Sequence, residues 1–526
     1  MREALIGLGS IACWIAGVLA WECLAAEEPA EAPDIERPPA GRPWMVVCLS
    51  SFNNLHDRLD ATLLAADRLE LAEVLAARLQ QLRNLKGIDK TRPLGYVQFW
   101  PPATSLWPEE VLFLPDSESE ELVRTISLGI VDYECIDDQH YTLQRPGSTY
   151  HVIFRKGYAW LGDRPDTLVK CAQMSNEWIP LLVGQDDIGI LYDFKQIPLA
   201  ERLAAASGWR ASWDPWLQQR DDEKITEYEF RKRWTEPVIQ LISWAIGQSE
   251  QLIVRVRFDE DLSACVLDFR LHPETGSVWS EWLKNWRPQA STWQNLLDDK
   301  TALSAGVITA WPLKPQTEEA VRSPLEQKIG TPSGQVAWQV FGEHLGVRCC
   351  VLALGNNPAN SLRNDSQNSE DDESSSSGLP PLSLIPVPDV QPWLRRWISG
   401  NPEAWRVESL SSTWWGFGSP DLARGHLNRA WQAAHRPVEK TRVPRLVSAR
   451  VPLRLLLTAL PDLDPLWVEF QLQRRDDRVE FSVWPQQGDL RARVTIPSGG
   501  LRIIGGILAH RLQLEQFRLQ MEIPQP

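Results

Sequence analysis

The chain has 526 residues, 43% of them hydrophobic and 23% charged, as in a globular protein of several domains at about 150 residues per domain. Its formal net charge of −15 argues against a nucleic-acid partner, because a protein that neutralises phosphates needs a basic surface. The same charge disfavours anionic membrane surfaces.

Residues 1–26 have the layout of a secretory signal peptide. Arg2 is followed by the apolar run "ALIGLGSIACWIAGVLAW", and the small residues Ala25 and Ala26 suit a cleavage site. Residues 27–43 then form an extended, Pro-rich N-terminus. The alternative is an uncleaved anchor, since the run approaches the roughly 20 residues that span a bilayer. Both alternatives predict export to the periplasm or cell surface, with no membrane insertion beyond this N-terminal segment.

Residues 44–290 are predicted to form a first α+β repeat. Strands are expected in "PWMVVCLSSF", "LGYVQFW" and "EVLFLP", and helices over Leu55–Leu85 and Leu122–Ile126. Alternating residues around Pro146 and Gly147 predict a hairpin. Further strands are expected in "DIGILYDFKQI" and "QLIVRVRFDEDLSACVLDFRLHP".

Two similar strings indicate a tandem duplication. "FLPDSESEELVRTI" resembles the later "IPVPDVQPWLRRWI", and "YAWLGDRPD", which contains Trp160, resembles "TWWGFGSPD", which contains Trp415. We therefore expect residues 291–300 to be a linker and residues 301–520 to be a second repeat. Residues 356–381 are too polar and acidic to bury a core and are expected to be a disordered insertion. The predicted fold class is α+β, with two tandem repeats, each an antiparallel sheet with helices packed on one face.

The sequence contains no P-loop, HExxH, GxSxG or complete EF-hand motif. Asp259–Asp261 resembles the start of a calcium loop but lacks its Gly and distal Glu, so a hairpin turn is expected. Asp166 and Asp421 are expected to be helix N-caps. His140 and His151 are expected to face each other across the hairpin without a metal. We accordingly predict no catalytic, cofactor-binding or metal-binding residue and no cofactor.

Cysteine and tryptophan usage have one structural and one functional interpretation each. Cys48, Cys265, Cys349 and Cys350 lie in apolar, strand-like runs, which favours buried thiols over the disulfides that export permits. The chain has 26 Trp, several at helical spacing, and core packing is the favoured role. The alternative is that they form platforms for sugars or line a groove for an apolar ligand. The residues at helical spacing are Trp209, Trp213, Trp216, Trp279, Trp282, Trp286, Trp393 and Trp397.

The chain resembles a group of secreted proteins of unknown function from planctomycete-type bacteria. The resemblance is carried by "RPWMVVCLSSFNNL", "GIDKTRPLGYVQF", "VLFLPDSESEELVRTI", "GYAWLGDRPDTL" and "ARVTIPSGGLRIIGG", which together span most of the chain after the signal. It implies a duplicated α+β envelope protein without an assigned activity, and it supplies no functional residues.

The sequence therefore predicts a non-catalytic exported protein with a binding or structural role in the cell envelope. Its expected partner is an envelope protein or an apolar ligand. One alternative is a carrier that holds an apolar ligand in a Trp-lined groove. Another is a glycan-acting envelope enzyme, which needs two carboxylates in one cleft.

Overall fold

The fold was analysed in a computed structural model of the chain. The structure describes residues 41–68, 86–100, 108–127, 132–145, 148–219, 247–285, 291–308, 335–343, 346–355, 385–387, 403–408, 412–436, 444–453 and 476–507, with the single positions 71, 73, 228, 239 and 243. Residues 1–26, most of 27–43 and the insertion at 356–381 lie outside the described residues.

The chain divides into two compact units. Unit 1 combines the described residues within Met1–Pro215, Ile239–Ser277 and Leu501–Pro526, and unit 2 combines those within Trp216–Val238 and Val278–Gly500. Every strand pairing given by the described residues is antiparallel, and helices pack on strands in both units. The prediction of a mixed α+β fold built on antiparallel strands is confirmed.

Ten strands of unit 1 are described: β1 Met45–Leu49, β2 Leu94–Phe99, β3 Glu109–Pro115, β4 Asp132–Asp137, β5 His140–Arg145, β6 Ser148–Arg155, β7 Tyr158–Gly162, β8 Ile188–Asp193, β9 Ser249–Asp259 and β10 Ala264–Pro273. They pair in the order β10–β9–β8–β1–β2–β3–β7–β6–β5–β4. The apolar strand β1 lies between β2 and β8, and all five of its residues are buried. The predicted strands and the β5–β6 hairpin are therefore present.

The described helices of unit 1 are α1 Phe52–Ala65, α2 Ser119–Ser127, α3 Pro165–Val183 and α4 Leu199–Ser212; the short helix α5 Asp214–Leu217 follows them. Ser51 caps α1 by accepting a hydrogen bond from the Asn54 backbone N–H at 3.1 Å. The helix ends at Ala65, and Asp67 has a left-handed φ of 56°, so the helix predicted over Leu55–Leu85 is interrupted at this point. Leu71 and Glu73 are again helical, and the rest of residues 69–85 lies outside the described residues.

The core of unit 1 lies between α3 and the sheet. Leu168, Cys171 and Trp178 of α3 pack in one buried cluster with Phe113 of β3 and Trp160 of β7. Trp160 is fully buried, and its ring stacks on Phe113 with centroids 5.2 Å apart. Burying a whole indole contributes strongly to stability, so these contacts hold α3 against one face of the sheet.

Nine strands of unit 2 are described: β11 Ser304–Ile308, β12 Gln335–Glu343, β13 Gly346–Gly355, β14 Ile385–Val387, β15 Glu403–Glu408, β16 Ser412–Gly418, β17 Val447–Pro452, β18 Arg478–Gln486 and β19 Asp489–Pro497. They pair in the order β19–β18–β17–β11–β12–β13–β16–β15–β14. Unit 2 also has helices α6 Val278–Asn285 and α7 Pro420–Ala434 and a 3-10 helix, Thr292–Asp298, and unit 1 has a short 3-10 helix, Phe194–Gln196.

The core of unit 2 lies under α7. Trp414 of β16 packs edge-on against Trp431 of α7 and against Trp293 of the 3-10 helix, with centroids 5.6 and 5.5 Å apart. Trp293 is fully buried. Residues 291–300, predicted to be a linker, thus contain a 3-10 helix that belongs to the core of unit 2.

The structure corrects two details of the repeated string. Trp414, and not Trp415, occupies the fully buried position against the helix, because alternate residues of β16 point to opposite faces and Trp415 is only half-buried. Asp166 and Asp421 are not N-caps. Each follows a Pro that begins its helix, so its carboxylate lies in the first turn and interacts favourably with the helix dipole.

None of the helices in the described part of the chain is long and apolar enough to span a bilayer.

Candidate functional site

An open cleft of about 720 Å³ lies in unit 1, where the β6–β7 turn meets the start of α2 and the middle of α3. This volume falls within the roughly 300–1,000 Å³ that small-molecule sites occupy. The cleft is lined by Asp116, Ser119, Asp138, Gln139, Phe154, Arg155, Lys156, Gly157, Tyr158, Ala172 and Gln173.

The β6–β7 turn forms one edge of the cleft. Lys156 and Gly157 both have a left-handed φ, 53° and 72°, which is the backbone of a type I′ two-residue hairpin. A Cβ on Gly157 would lie 2.5 Å from Arg92 Nη1, the mobile end of that side chain, so the left-handed φ is the stronger reason for glycine here. Arg92 Nη1 donates to the Gly157 carbonyl at 2.9 Å and holds the turn in place.

Arg92 also lies over the aromatic ring of Tyr158, 4.4 Å from its centroid. Burial raises the pKa of Tyr158, and the guanidinium of Arg92 opposes this only in part. The Tyr158 hydroxyl therefore stays protonated at neutral pH and remains a hydrogen-bond donor.

Asp116, directly after β3, lines the cleft next to the β6–β7 turn. Its backbone N–H donates to the Gly157 carbonyl at 3.0 Å, which ties Asp116 to the turn. Its Oδ2 accepts a hydrogen bond of 2.6 Å from the Ser119 hydroxyl. Its Oδ1 is shielded from solvent and receives no hydrogen bond from the described residues. A buried carboxylate oxygen without a donor is unfavourable, so this atom marks a place for an added donor.

The remaining walls come from the β4–β5 turn and from α3. Lys156 Nζ donates to the Gln173 carbonyl at 3.1 Å, which connects the turn to α3. The Phe154 N–H donates to the Gln139 carbonyl at 2.8 Å, which places Gln139 beside the hairpin. The side-chain amide of Gln173 is exposed and available to a ligand.

The lining carries balanced charge. Asp116 and Asp138 oppose Arg155 and Lys156, and the exposed Asp138 and Arg155 side chains have no hydrogen-bond or ion-pair partner among the described residues. The arrangement combines hydrogen-bond donors and acceptors with the buried edges of Phe154 and Tyr158. It can orient a polar ligand without favouring a strongly charged one.

Sequence reasoning did not identify this cleft. In the sequence, Asp116 belongs to a repeated Pro-Asp string, and Arg92 belongs to one of the strings that carry the resemblance to secreted proteins. The residues of the cleft come from four separated stretches of chain and share no spacing. The one local signal was the Lys156-Gly157 pair between alternating strands, which indicates a tight hairpin and no chemistry.

The predicted pairing of His140 and His151 is confirmed. His140 Nε2 and His151 Nδ1 lie 3.0 Å apart, and the two rings are tilted by 44°. Burial and the nearby His140 lower the pKa of His151, with Asp163 opposing this. Within the described ranges, no group of three or more His, Cys, Asp or Glu side chains is arranged to hold a metal ion.

The other singled-out residues have structural roles. Asp259–Asp261 lies in the β9–β10 turn as predicted, with Asp259 Oδ1 accepting from the Leu262 N–H at 3.1 Å. The six described cysteines are free thiols. Cys48 is fully buried and desolvation raises its pKa, whereas Cys135 is exposed.

Two of the Trp residues predicted to cluster at helical spacing have described side chains. Trp209 is buried, and it contacts Trp213 with centroids 5.8 Å apart. The other Trp residues predicted to cluster at helical spacing lie outside the residues whose side chains are described: Trp216, Trp279, Trp282, Trp286, Trp393 and Trp397. None of the residues lining the cleft is a Trp.

No protein-family model, curated protein or solved structure matches this chain.

Proposed function

We propose that the protein is a non-catalytic, exported binding protein of the cell envelope and that the unit 1 cleft is its binding site. The observation that carries the binding role is the Asp116 carboxylate in the cleft wall, with its buried Oδ1 lacking a donor among the described residues. Export is supported by the apolar N-terminal segment and by the resemblance to secreted planctomycete-type proteins.

We further propose that the two units arose by tandem duplication, with unit 1 and unit 2 corresponding to the two predicted repeats. The support is the pairing order. If β11, β12, β13, β16, β15 and β14 correspond to β1, β2, β3, β7, β6 and β5, the two sheets have their strands in the same order. In each unit a helix that begins with Pro-Asp follows the strand carrying the buried Trp.

The binding role is tested by calorimetry on the full mature chain with polar, zwitterionic and apolar probe ligands. We expect one class to bind and Asp116→Asn to weaken that binding, because an amide nitrogen cannot accept a hydrogen bond as a carboxylate oxygen does. Binding that is unaffected by Asp116→Asn would place the site elsewhere, and turnover of the bound probe would contradict a non-catalytic role.

Export is tested by fractionating cells that express the chain and by determining its N-terminus with mass spectrometry. We expect the protein in the envelope fraction with its mature chain beginning at Glu27, after the Ala25-Ala26 pair. An intact N-terminus in that fraction would favour the uncleaved anchor, and retention in the cytosol would contradict export.

Two alternative functions have specific support. The cleft contains two carboxylates, Asp116 and Asp138, beside Phe154 and Tyr158, which favours a glycan-acting enzyme as the second candidate. The neighbouring rings of Trp209 and Trp213 are the described feature that favours a carrier of an apolar ligand. Hydrolysis of a bound oligosaccharide would support the first, and binding of laurate the second.

A further inference from the structure

We infer that the unit 1 cleft binds a saccharide of one or two rings, an assignment that rests on the proposed binding function. The cleft wall brings together two carboxylates, two amides, a hydroxyl and two cationic side chains around the edges of two aromatic rings. A sugar hydroxyl both donates and accepts hydrogen bonds, so a ring bearing several of them matches a wall of mixed donors and acceptors.

Asp116 limits the ligands that fit. Its Oδ1 is shielded from solvent and receives no hydrogen bond from the described residues, and the soft terminal torsion of an aspartate allows the carboxylate to reorient when a ligand binds. An apolar ligand would bury the carboxylate further without supplying a donor, which is costly. A ligand hydroxyl would supply a donor to this carboxylate, beside the Ser119 hydroxyl that donates to its Oδ2 at 2.6 Å in the unliganded chain.

The charge balance argues for a neutral ligand. Asp138 and Arg155 are exposed at the cleft and have no hydrogen-bond or ion-pair partner within the described part of the chain. With Asp116 and Lys156 they give two negative and two positive groups, so an anion or a cation gains little net attraction. Adjacent hydroxyls of one ring can accept from Arg155 and donate to Asp138 at the same time.

Two amide side chains add hydrogen-bonding groups to the cleft, and its two aromatic residues add little apolar surface. Gln139 and Gln173 are exposed at the cleft and offer both a donor and an acceptor. Phe154 and Tyr158 are only 7% and 6% exposed, so they offer little apolar surface to a ligand. A polar ring ligand uses both features, whereas a fatty chain uses only the second.

Titration calorimetry on the full mature chain tests the assignment with cellobiose, diacetylchitobiose, glycylglycine and laurate as probes. We expect a disaccharide to bind, and Asp116→Asn to raise its Kd by about tenfold or more, as for loss of a hydrogen bond to a charged group. Gln173→Leu should raise Kd by about 2- to 10-fold, because the hydrogen bond that it removes is neutral. Asp261→Asn in the β9–β10 turn makes the same charge change outside the cleft and should leave Kd unchanged.

Gln173→Leu keeps the test valid if Asp116→Asn does not fold, because this side chain is exposed and its carbonyl still accepts from Lys156. Sugar binding that neither variant weakens, or no sugar binding at all, overturns the assignment. Glycylglycine or laurate binding that the variants weaken overturns the saccharide but keeps the binding function. If no probe binds, the proposed function also loses its support in the cleft. Where a disaccharide does bind, co-sedimentation with chitin, cellulose and peptidoglycan distinguishes a polymer source from a free oligosaccharide.

Discussion

Unit 1 and unit 2 each bury one indole between a strand and a helix, but they fill the space beside it differently. In unit 1, Trp160 lies opposite Phe113 of the neighbouring strand and stacks on its ring. In unit 2, Trp414 lies opposite Ala353, and Trp293 from the 3-10 helix packs against it. A small residue on the neighbouring strand is thus compensated by a large residue from a different part of the chain. The packed volume is retained while its source in the sequence changes.

A second difference lies just before the strand that follows α3 in unit 1 and α7 in unit 2. The N–H of Asp187, before β8, donates to Val256 O, and the N–H of Leu446, before β17, donates to Val483 O. Asp187 is fully buried, and its Oδ2 accepts from the Phe258 N–H at 2.8 Å. The position in β18 that corresponds to Phe258 is Pro485, two residues after Val483, and proline has no N–H. Unit 2 therefore needs no acceptor at this point and carries a leucine.

The largest expected effect in the comparison comes from truncating the buried indoles. Trp160→Ala and Trp414→Ala should each cost about 3–5 kcal/mol of unfolding free energy. Each loss should fall on its own unit, which hydrogen exchange followed by mass spectrometry resolves by peptide. Trp415→Ala is the matched control, because the half-buried neighbour should cost less. Equal losses for Trp414→Ala and Trp415→Ala would contradict the assignment of Trp414 to the core.

A smaller loss is expected from the buried carboxylate of unit 1. Asp187→Leu introduces the residue that unit 2 has, but it leaves the Phe258 N–H buried without an acceptor. The expected cost is about 1–3 kcal/mol, measured by denaturant unfolding. Asp187→Asn keeps one oxygen that can accept from the Phe258 N–H, but its amide nitrogen then faces Arg58 Nη1, which donates to Oδ1 at 3.1 Å in the native chain. It should therefore lose less stability than Asp187→Leu, but not none. An Asp187→Leu variant with an unchanged free energy of unfolding would show that the correspondence with Leu446 and Pro485 has no energetic basis.

The sequence predicted the strands of unit 1 well because apolar and alternating runs are local signals. The β5–β6 hairpin and the facing His140 and His151 followed from the same alternation. The interruption after α1 was not predicted, because the leucine spacing continues past the left-handed Asp67. The position of Trp293 and the walls of the cleft could not be predicted, because both depend on contacts between segments far apart in sequence.

Unit 2 should lose stability as the pH falls, because the pKa of one of its histidines is strongly lowered. Burial and the neighbouring Arg429 lower the pKa of His426 in unit 2 to about 4, and Arg429 Nη2 lies 2.9 Å from His426 Nδ1. The unfolded chain, with an ordinary His pKa of 6.5, then binds more protons between these values. The free energy of unfolding of unit 2 should therefore fall as the pH falls from 6.5 toward 4.

Hydrogen exchange at several pH values measures this response, and His426→Gln should flatten it in unit 2. The pKa of His151 in unit 1 is lowered too, so unit 1 should lose stability in the same direction. A His426→Gln variant that keeps the full pH dependence in unit 2 would contradict the role of this imidazole.

The smallest expected effect is a gain, and it distinguishes an unpacked glycine from a packed one. Gly425 lies inside α7 and is exposed, and a Cβ added there would meet nothing within 4 Å. Gly425→Ala should stabilise unit 2 by up to about 1 kcal/mol, because alanine loses less backbone entropy in a helix.

Gly306 of β11 is the contrast, since its added Cβ would lie 2.1 Å from the ring of Trp338. Gly306→Ala should therefore destabilise the same unit by about 1–3 kcal/mol through overpacking. Denaturant midpoints that shift in the same direction for both substitutions would contradict the packing described for β11 and α7.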